Sequence, residues 1–234
     1  MREYYAVGWL LLLAALTPVV GTSKTPTFFG AFASTTTTMH PRSICATNES
    51  RIIFAGYRKV VNGDTEADMF IACTDAAGEL LWAKDVATPG NEGDDVWEVI
   101  ETPEGTFFVA TSDYGPGTGS NILTGKMTRD GELLSSRIFG SSGTEKGWAM
   151  QRNEDDSLVI VGQTTSFAPL TDILLLKIRN NYSVDWVTAV GSQYYERGRC
   201  VRQTRDGGFI VGGSISGYGA GGNYDYIITK LNSN

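Results

Sequence analysis

Three acidic residues recur at one spacing: Asp94, Glu145 and Glu196 stand 51 residues apart. Asp95, Lys146 and Arg197 follow them directly, and His40 matches in phase near the N-terminus. Paired carboxylates do general acid–base work when two different environments tune them apart. Copies of one carboxylate at one repeat position lack that asymmetry. They suit a structural role, bonding loop amides or a neighbouring unit, with a charged rim that meets a partner as the alternative. Trp97 and Trp148 share another column, which Arg199 and Arg42 continue. Tryptophans at repeat positions ordinarily fill the space between units, whereas exposed ones would stack on sugars. Trp97, Trp148, Arg199, Asp94, Glu145 and Glu196 are therefore the candidate binding residues.

Other reactive groups are sparse. His40 is the only histidine, so any Ser-His-Asp arrangement would rest on it, and neither G-x-S-x-G nor H-E-x-x-H occurs. No catalytic residue is assigned, and His40 is expected in a surface loop. Lys126, Lys177 and Lys230 recur. They read as rim charges whose stems lie on a sheet, or as a ring for an anionic ligand. The segment NGDTEAD (62–68) offers oxygens of the kind Ca²⁺ takes, without EF-hand spacing. Cys45, Cys73 and Cys200 are odd in number and far apart, so they are expected as buried free thiols. A G-x-G-x-x-G occurs at Gly217, Gly219 and Gly222. A dinucleotide loop must open a helix, but YDYIITKL (224–231) reads as a strand, so these glycines serve a turn.

The elements that hold these residues come from a repeat. TPEGTFFVAT (102–111), NEDDSLVIVG (153–162) and TRDGGFIVGG (204–213) align at offsets of 51. DMFIACT (68–74), NILTGKM (121–127), DILLLKI (172–178) and DYIITKL (225–231) align at 53, 51 and 53. Trp82 and Trp186 mark a further run, with Ser135 between them. Each run is short, apolar and bounded by turn residues, and several are apolar on both faces, which predicts strands buried between two layers. Four strands in about 50 residues, in a unit that cannot bury its own faces, predict an all-β chain, a β-propeller of four-stranded blades.

The expected blades span 52–102, 107–153, 158–204, and 209–231 completed by 27–47. TPTFFGAFA (26–34) and RSICAT (42–47) would supply the last blade's missing strands, so that N-terminal and C-terminal strands together remove the open edges. Four blades is the small limit; two chains forming an eight-bladed ring is the alternative, so monomer and homodimer are both open.

With 234 residues the chain is long enough for one sizeable domain. Its net charge of −7 argues against nucleic acid. Residues 1–21 read as a signal peptide, with an apolar stretch over 6–20 and small residues before a cleavage after Gly21. Residues 22–26 form a short linker, and 27–234 the propeller. The mature protein is then secreted, touching a membrane only if the segment stays uncleaved.

RDGGFIVGGSISGYGAGGNYDYIITKLNSN (205–234) and DDSLVIVGQTTSFAPLTDILLLKIRNNYSVDW (155–186) resemble the tandem repeats of secreted prokaryotic β-propeller proteins, and more remotely kelch and quinoprotein-type repeats. The resemblance covers residues 27–234 and is weakest before 52. The first unit departs from it: Cys73 stands where the others carry lysine. The resemblance implies a fold and secretion, and little about activity. The expected function is a non-enzymatic binding or scaffold module for a protein or glycan, using loops on one face of the ring. A quinoprotein-like oxidoreductase or glycan-active enzyme is the alternative.

Overall fold

The computed structural model describes residues 37–60, 67–86, 88, 94–112, 115, 119–218 and 223–233. Among these the chain forms fifteen strands in four antiparallel sheets and no helix. The first sheet is β1 (Thr37–Ala46), β2 (Ile52–Val60), β3 (Ala67–Thr74) and β4 (Leu80–Val86). The second is β5 (Asp95–Thr102), β6 (Gly105–Ser112), β7 (Asn121–Met127) and β8 (Leu133–Phe139). The third is β9 (Glu145–Arg152), β10 (Leu158–Thr164), β11 (Asp172–Ile178) and β12 (Val184–Val190). The fourth has three strands, β13 (Tyr195–Gln203), β14 (Phe209–Ser216) and β15 (Tyr224–Leu231). Strands follow one another in each sheet in chain order.

The sheets are phased one strand away from the expected blades. Residues 95–102, expected as a fourth strand, turn back after Thr102 and pair with β6, Thr102 facing Gly105. A two-residue connection leaves such a strand no nearer partner. The same phasing puts β1 beside β2, with Ile44 facing Phe54. Residues 37–46 thus belong to the first sheet and not to the sheet of 209–231, as had been expected of 27–47. Residues 27–34, the other half of that expectation, lie outside the described residues, as do the signal segment and residues 62–66 of the Ca²⁺ candidate.

The runs that are apolar on both faces are strands covered on both sides. Every residue of β6 and of β10 is buried. Phe108 and Ala110 face the first sheet, joining Ile53, Met69 and Ile71. Phe107 and Val109 face the third, joining Leu158, Ile160 and Leu174. A third core joins Val159, Val161, Ile173 and Leu175 to Val201, Phe209 and Val211 of the fourth sheet. Fully burying each such side chain is worth about 1.5–3 kcal/mol, and these three layers carry the fold. Trp186 meets Phe209 at 5.6 Å across one seam. Trp82 donates its indole N–H to the Arg129 carbonyl, 2.9 Å away, across another. Both fill the space between sheets, as expected of repeat tryptophans.

The cysteines differ from expectation. All three are free, but only Cys73 is buried; Cys45 is half-buried and Cys200 exposed. Cys45 and Cys73 flank Ile53 in one cross-strand row, with a whole strand between them, beyond disulfide reach. Burial pushes both thiols up in pKa.

Candidate functional site

The first strand of each sheet carries a one-residue bulge. Pairing skips between Pro41 and Ser43, Val96 and Glu98, Gly147 and Ala149, and Gly198 and Cys200. The residues left out are Arg42, Trp97, Trp148 and Arg199, the column read from the sequence. A bulge leaves its extra residue unpaired and re-aims its side chain. Here the second strand makes room: a Cβ on Gly56, Gly162 or Gly213 would lie within 2.0 Å of the carbonyl oxygen of His40, Lys146 or Arg197. Glycine lets the bulged backbone approach that closely.

The four side chains form one stack across four sheets. The Arg42 guanidinium stands 4.2 Å from the Trp97 ring centroid. Trp97 and Trp148 meet edge to face at 6.3 Å and 70°. The Arg199 guanidinium stands 3.8 Å from Trp148. Both contacts are cation–π geometry. Trp148 is only 9% exposed, so its ring already has partners and offers no open platform for a sugar.

Neighbouring first strands are also stitched together by side chains. Arg42 pairs with Asp95 at 3.0 Å. Ser43 donates to Glu98 at 2.9 Å and accepts from the Val99 amide at 3.1 Å. The Gln203 amide donates to the Gln151 side chain at 3.0 Å. Burial pushes Asp95 and Glu98 up in pKa, against the pull of Arg42 and of Ser43 respectively. Burial holds Arg199 below its usual range, helped by the nearby guanidiniums of Arg197 and Arg42. Arg42 of the first sheet is thus within electrostatic reach of Arg199 of the fourth.

The candidate carboxylates sit in the scaffold. Asp94, Glu145 and Glu196 are all buried. Asp94 accepts from the Thr88 hydroxyl at 2.6 Å and its amide at 3.2 Å. Glu145 accepts from the Ser141 amide at 2.9 Å and the Thr164 hydroxyl at 3.0 Å, and also bonds Ser166. Glu196 bonds the Ser192 hydroxyl, while its amide donates to the Thr171 carbonyl at 2.8 Å. Each carboxylate folds the loop before its strand back onto that strand, the structural role weighed above. Buried in this way, they face no open surface.

The recurrent lysines are neutralised. Lys126 pairs with Glu104, Lys177 with Asp155 at 2.9 Å and Lys230 with Asp206 at 2.8 Å. The acids repeat at 51 residues as the lysines nearly do, a signal the sequence carried and the reading missed. This replaces the lysine ring for an anionic ligand with three local clamps. Asp155 is held down to about 2: burial alone would raise it, but its bonds from Ser157 and Lys177 prevail. His40 lies in β1 and not in a loop, exposed as expected, stacked on Tyr57 at 4.5 Å.

Seven cations have no ion pair among the described residues: Lys59, Arg137, Lys146, Arg197, Arg199, Arg202 and Arg205. Lys146, Arg197 and Arg199 have no ion pair or hydrogen bond among the described residues, and the buried Nε of Arg197 is left without a partner. Arg197 makes only a ring contact, at 5.3 Å from Tyr224. The free face of the first sheet has an apolar hollow of about 420 Å³ lined by Ile44, Ile52 and Phe54. No convergent group of His, Cys, Asp or Glu fit for a metal occurs among the described residues. No protein-family model and no curated sequence matches the chain.

Proposed function

We propose that the chain is a secreted β-propeller of the tandem-repeat kind, and that it binds a partner without catalysing a reaction. The observation that carries this reading is the Arg42–Trp97–Trp148–Arg199 column. Four bulges in phase aim four side chains into one continuous stack across four sheets, with the exposed guanidiniums of Arg42 and Arg199 at its ends. Repeat folds build binding surfaces in this way, from one position taken once per unit.

Ring closure is part of the proposal. In it the four sheets are the blades and β1, β5, β9 and β13 line the axis. The proximity of Arg42 to Arg199 supports a row of first strands that bends back on itself. So do the two end faces. Tyr226 is 97% and Ile228 74% exposed, whereas Ile173 and Leu175, their counterparts in β11, are buried under the fourth sheet. Ile44 is 72% exposed, whereas Val99, which faces Phe108 as Ile44 faces Phe54, is buried. Each end therefore presents the half of a seam that the other lacks. We favour closure within one chain, so size-exclusion with light scattering on the secreted protein should return a monomer. A stable dimer would replace this with the two-chain, eight-bladed ring.

The binding reading is tested by applying the immobilised mature protein to glycan and peptide arrays. Saturable retention that weakens on Trp148→Ala or Arg199→Ala is expected. Turnover of an offered substrate with no retained ligand would overturn it.

A further inference from the structure

The cations of this chain divide into those with acidic partners and those without, and the second group includes residues at the aromatic column. Arg42, Arg51, Arg58, Lys84, Lys126, Arg129, Arg152, Lys177, Arg179 and Lys230 all have carboxylates. Lys59, Arg137, Lys146, Arg197, Arg199, Arg202 and Arg205 do not, and of these Lys146, Arg197 and Arg199 lie at the bulges that carry the aromatic column. Arg197 and Arg199 are neighbours, close enough for the charge of one to act on the other, and Lys146 stands on the adjoining first strand. Lys146 precedes the bulged Trp148 by two residues, and Arg197 precedes the bulged Arg199 by two. β9 and β13 lie side by side, joined through the contact of Arg199 with Trp148 at 3.8 Å.

We propose that Lys146, Arg197 and Arg199 form a binding site for an oxyanion group, a carboxylate, sulfate or phosphate borne by the ligand. The proposal rests on the reading of the column as the binding surface and names the chemistry that surface recognises. A guanidinium presents a planar fork of donors matched to two oxygens of such a group. Trp148 spends its face on holding Arg199, which pre-sets the fork and limits the side-chain entropy lost on binding. The indole is thus the support of the site. Arg197 brings a buried Nε donor with no acceptor, which an unfilled oxyanion position explains and a solvated surface charge does not. Arg197 and Arg199 are like charges that repel, so that filling the site with an anion removes a standing penalty. The lowered pKa of Arg199 agrees with this.

The sources of the anion separate by experiment. The full chain is titrated with sodium sulfate, sodium phosphate and citrate at fixed ionic strength, reading tryptophan emission and heat. At least one should bind saturably at a single site, with a change in emission because Trp148 underlies Arg199. Arg197→Ala and Arg199→Ala should each weaken binding about tenfold, the loss of one charge-assisted contact. Arg199→Lys should retain more than Arg199→Ala, and Arg137→Ala, on the exposed outer strand β8, should change nothing. Binding of citrate alone assigns a carboxylate; binding of the inorganic anions assigns the tetrahedral class. No saturable binding of any of the three overturns the proposal, as does binding indifferent to both arginine variants. An array ligand retained equally by those variants also overturns it, while leaving the binding-module reading intact.

Discussion

The guanidinium of Arg199 stands 3.8 Å from the centre of the Trp148 ring, and Arg42 has the same relation to Trp97 at 4.2 Å. The two contacts come from different sheets, yet each joins two sheets. Trp148 is the buried partner, so Trp148→Ala should cost about 3–5 kcal/mol of folding free energy. Arg199→Ala should cost about 0.5–1 kcal/mol, the worth of a half-exposed cation–π contact. Urea unfolding followed by circular dichroism measures both. A double-mutant cycle should return a coupling of about 0.5–1 kcal/mol; additivity would show that the arginine contributes nothing to the seam.

Lys177 and Asp155 join the turn after β9 to β11, and the same clamp recurs as Lys230 with Asp206. Asp155 is held at about 2, below the ordinary carboxylate value near 4. A depressed carboxylate stabilises the fold above its unfolded pKa, and that contribution is lost as pH falls from about 4 through about 2. Lys177→Met should therefore lower the thermal midpoint at pH 6 and have progressively less effect towards pH 2. A midpoint difference that stays constant over that range would rule out the ion pair as its cause.

The 51-residue period was readable because each unit meets the same neighbours, so the same positions stay apolar, aromatic or charged. The Trp97, Trp148, Arg199 column was visible for that reason. The phasing of the sheets was not. Whether β5 joins β4 or β6 depends on loop lengths on its two sides, and the apolar pattern of the strand is the same either way. The bulges were also hidden, since one extra residue changes pairing without changing composition. Cys200 reads as a core thiol by its position in an apolar strand. It is exposed because the fourth sheet lacks the covering layer that the second and third sheets have.

Asp172 and Glu196 are both buried, and neither has all its oxygens satisfied. Burial raises the pKa of Asp172, and the charge of Glu196 raises it further. A raised carboxylate costs stability as pH climbs through its unfolded value. Asn121 holds the equivalent place in the second sheet, tucked under Gly140 as Asp172 is under Gly191. Asp172→Asn should raise the thermal midpoint at pH 7, and the gain should vanish below about pH 4 where both forms are neutral. A lowered midpoint at pH 7 would mean that the charge is held by a partner.

Gly162 and Gly213 admit the close approach of the bulged strand in the third and fourth sheets, at the place where the second sheet carries Ala110. A Cβ on Gly162 would fall 1.6 Å from the Lys146 carbonyl oxygen, and one on Gly213 would fall 1.9 Å from that of Arg197. The obstacle in both cases is backbone, which a rotamer change cannot relieve. Gly162→Ala should destabilise by on the order of 3 kcal/mol, the upper range for forcing atoms into filled space. It should also shift tryptophan emission in the folded protein, because the bulge it displaces sets the position of Trp148. Gly212 has a different environment: its nearest neighbour is the Cys200 sulfur at 2.9 Å, the end of an exposed side chain that moves aside. Gly212→Ala should therefore be the milder of the two by more than about 1 kcal/mol. Equal losses, measured side by side in urea, would show that strand propensity and not the bulge selects glycine in this row.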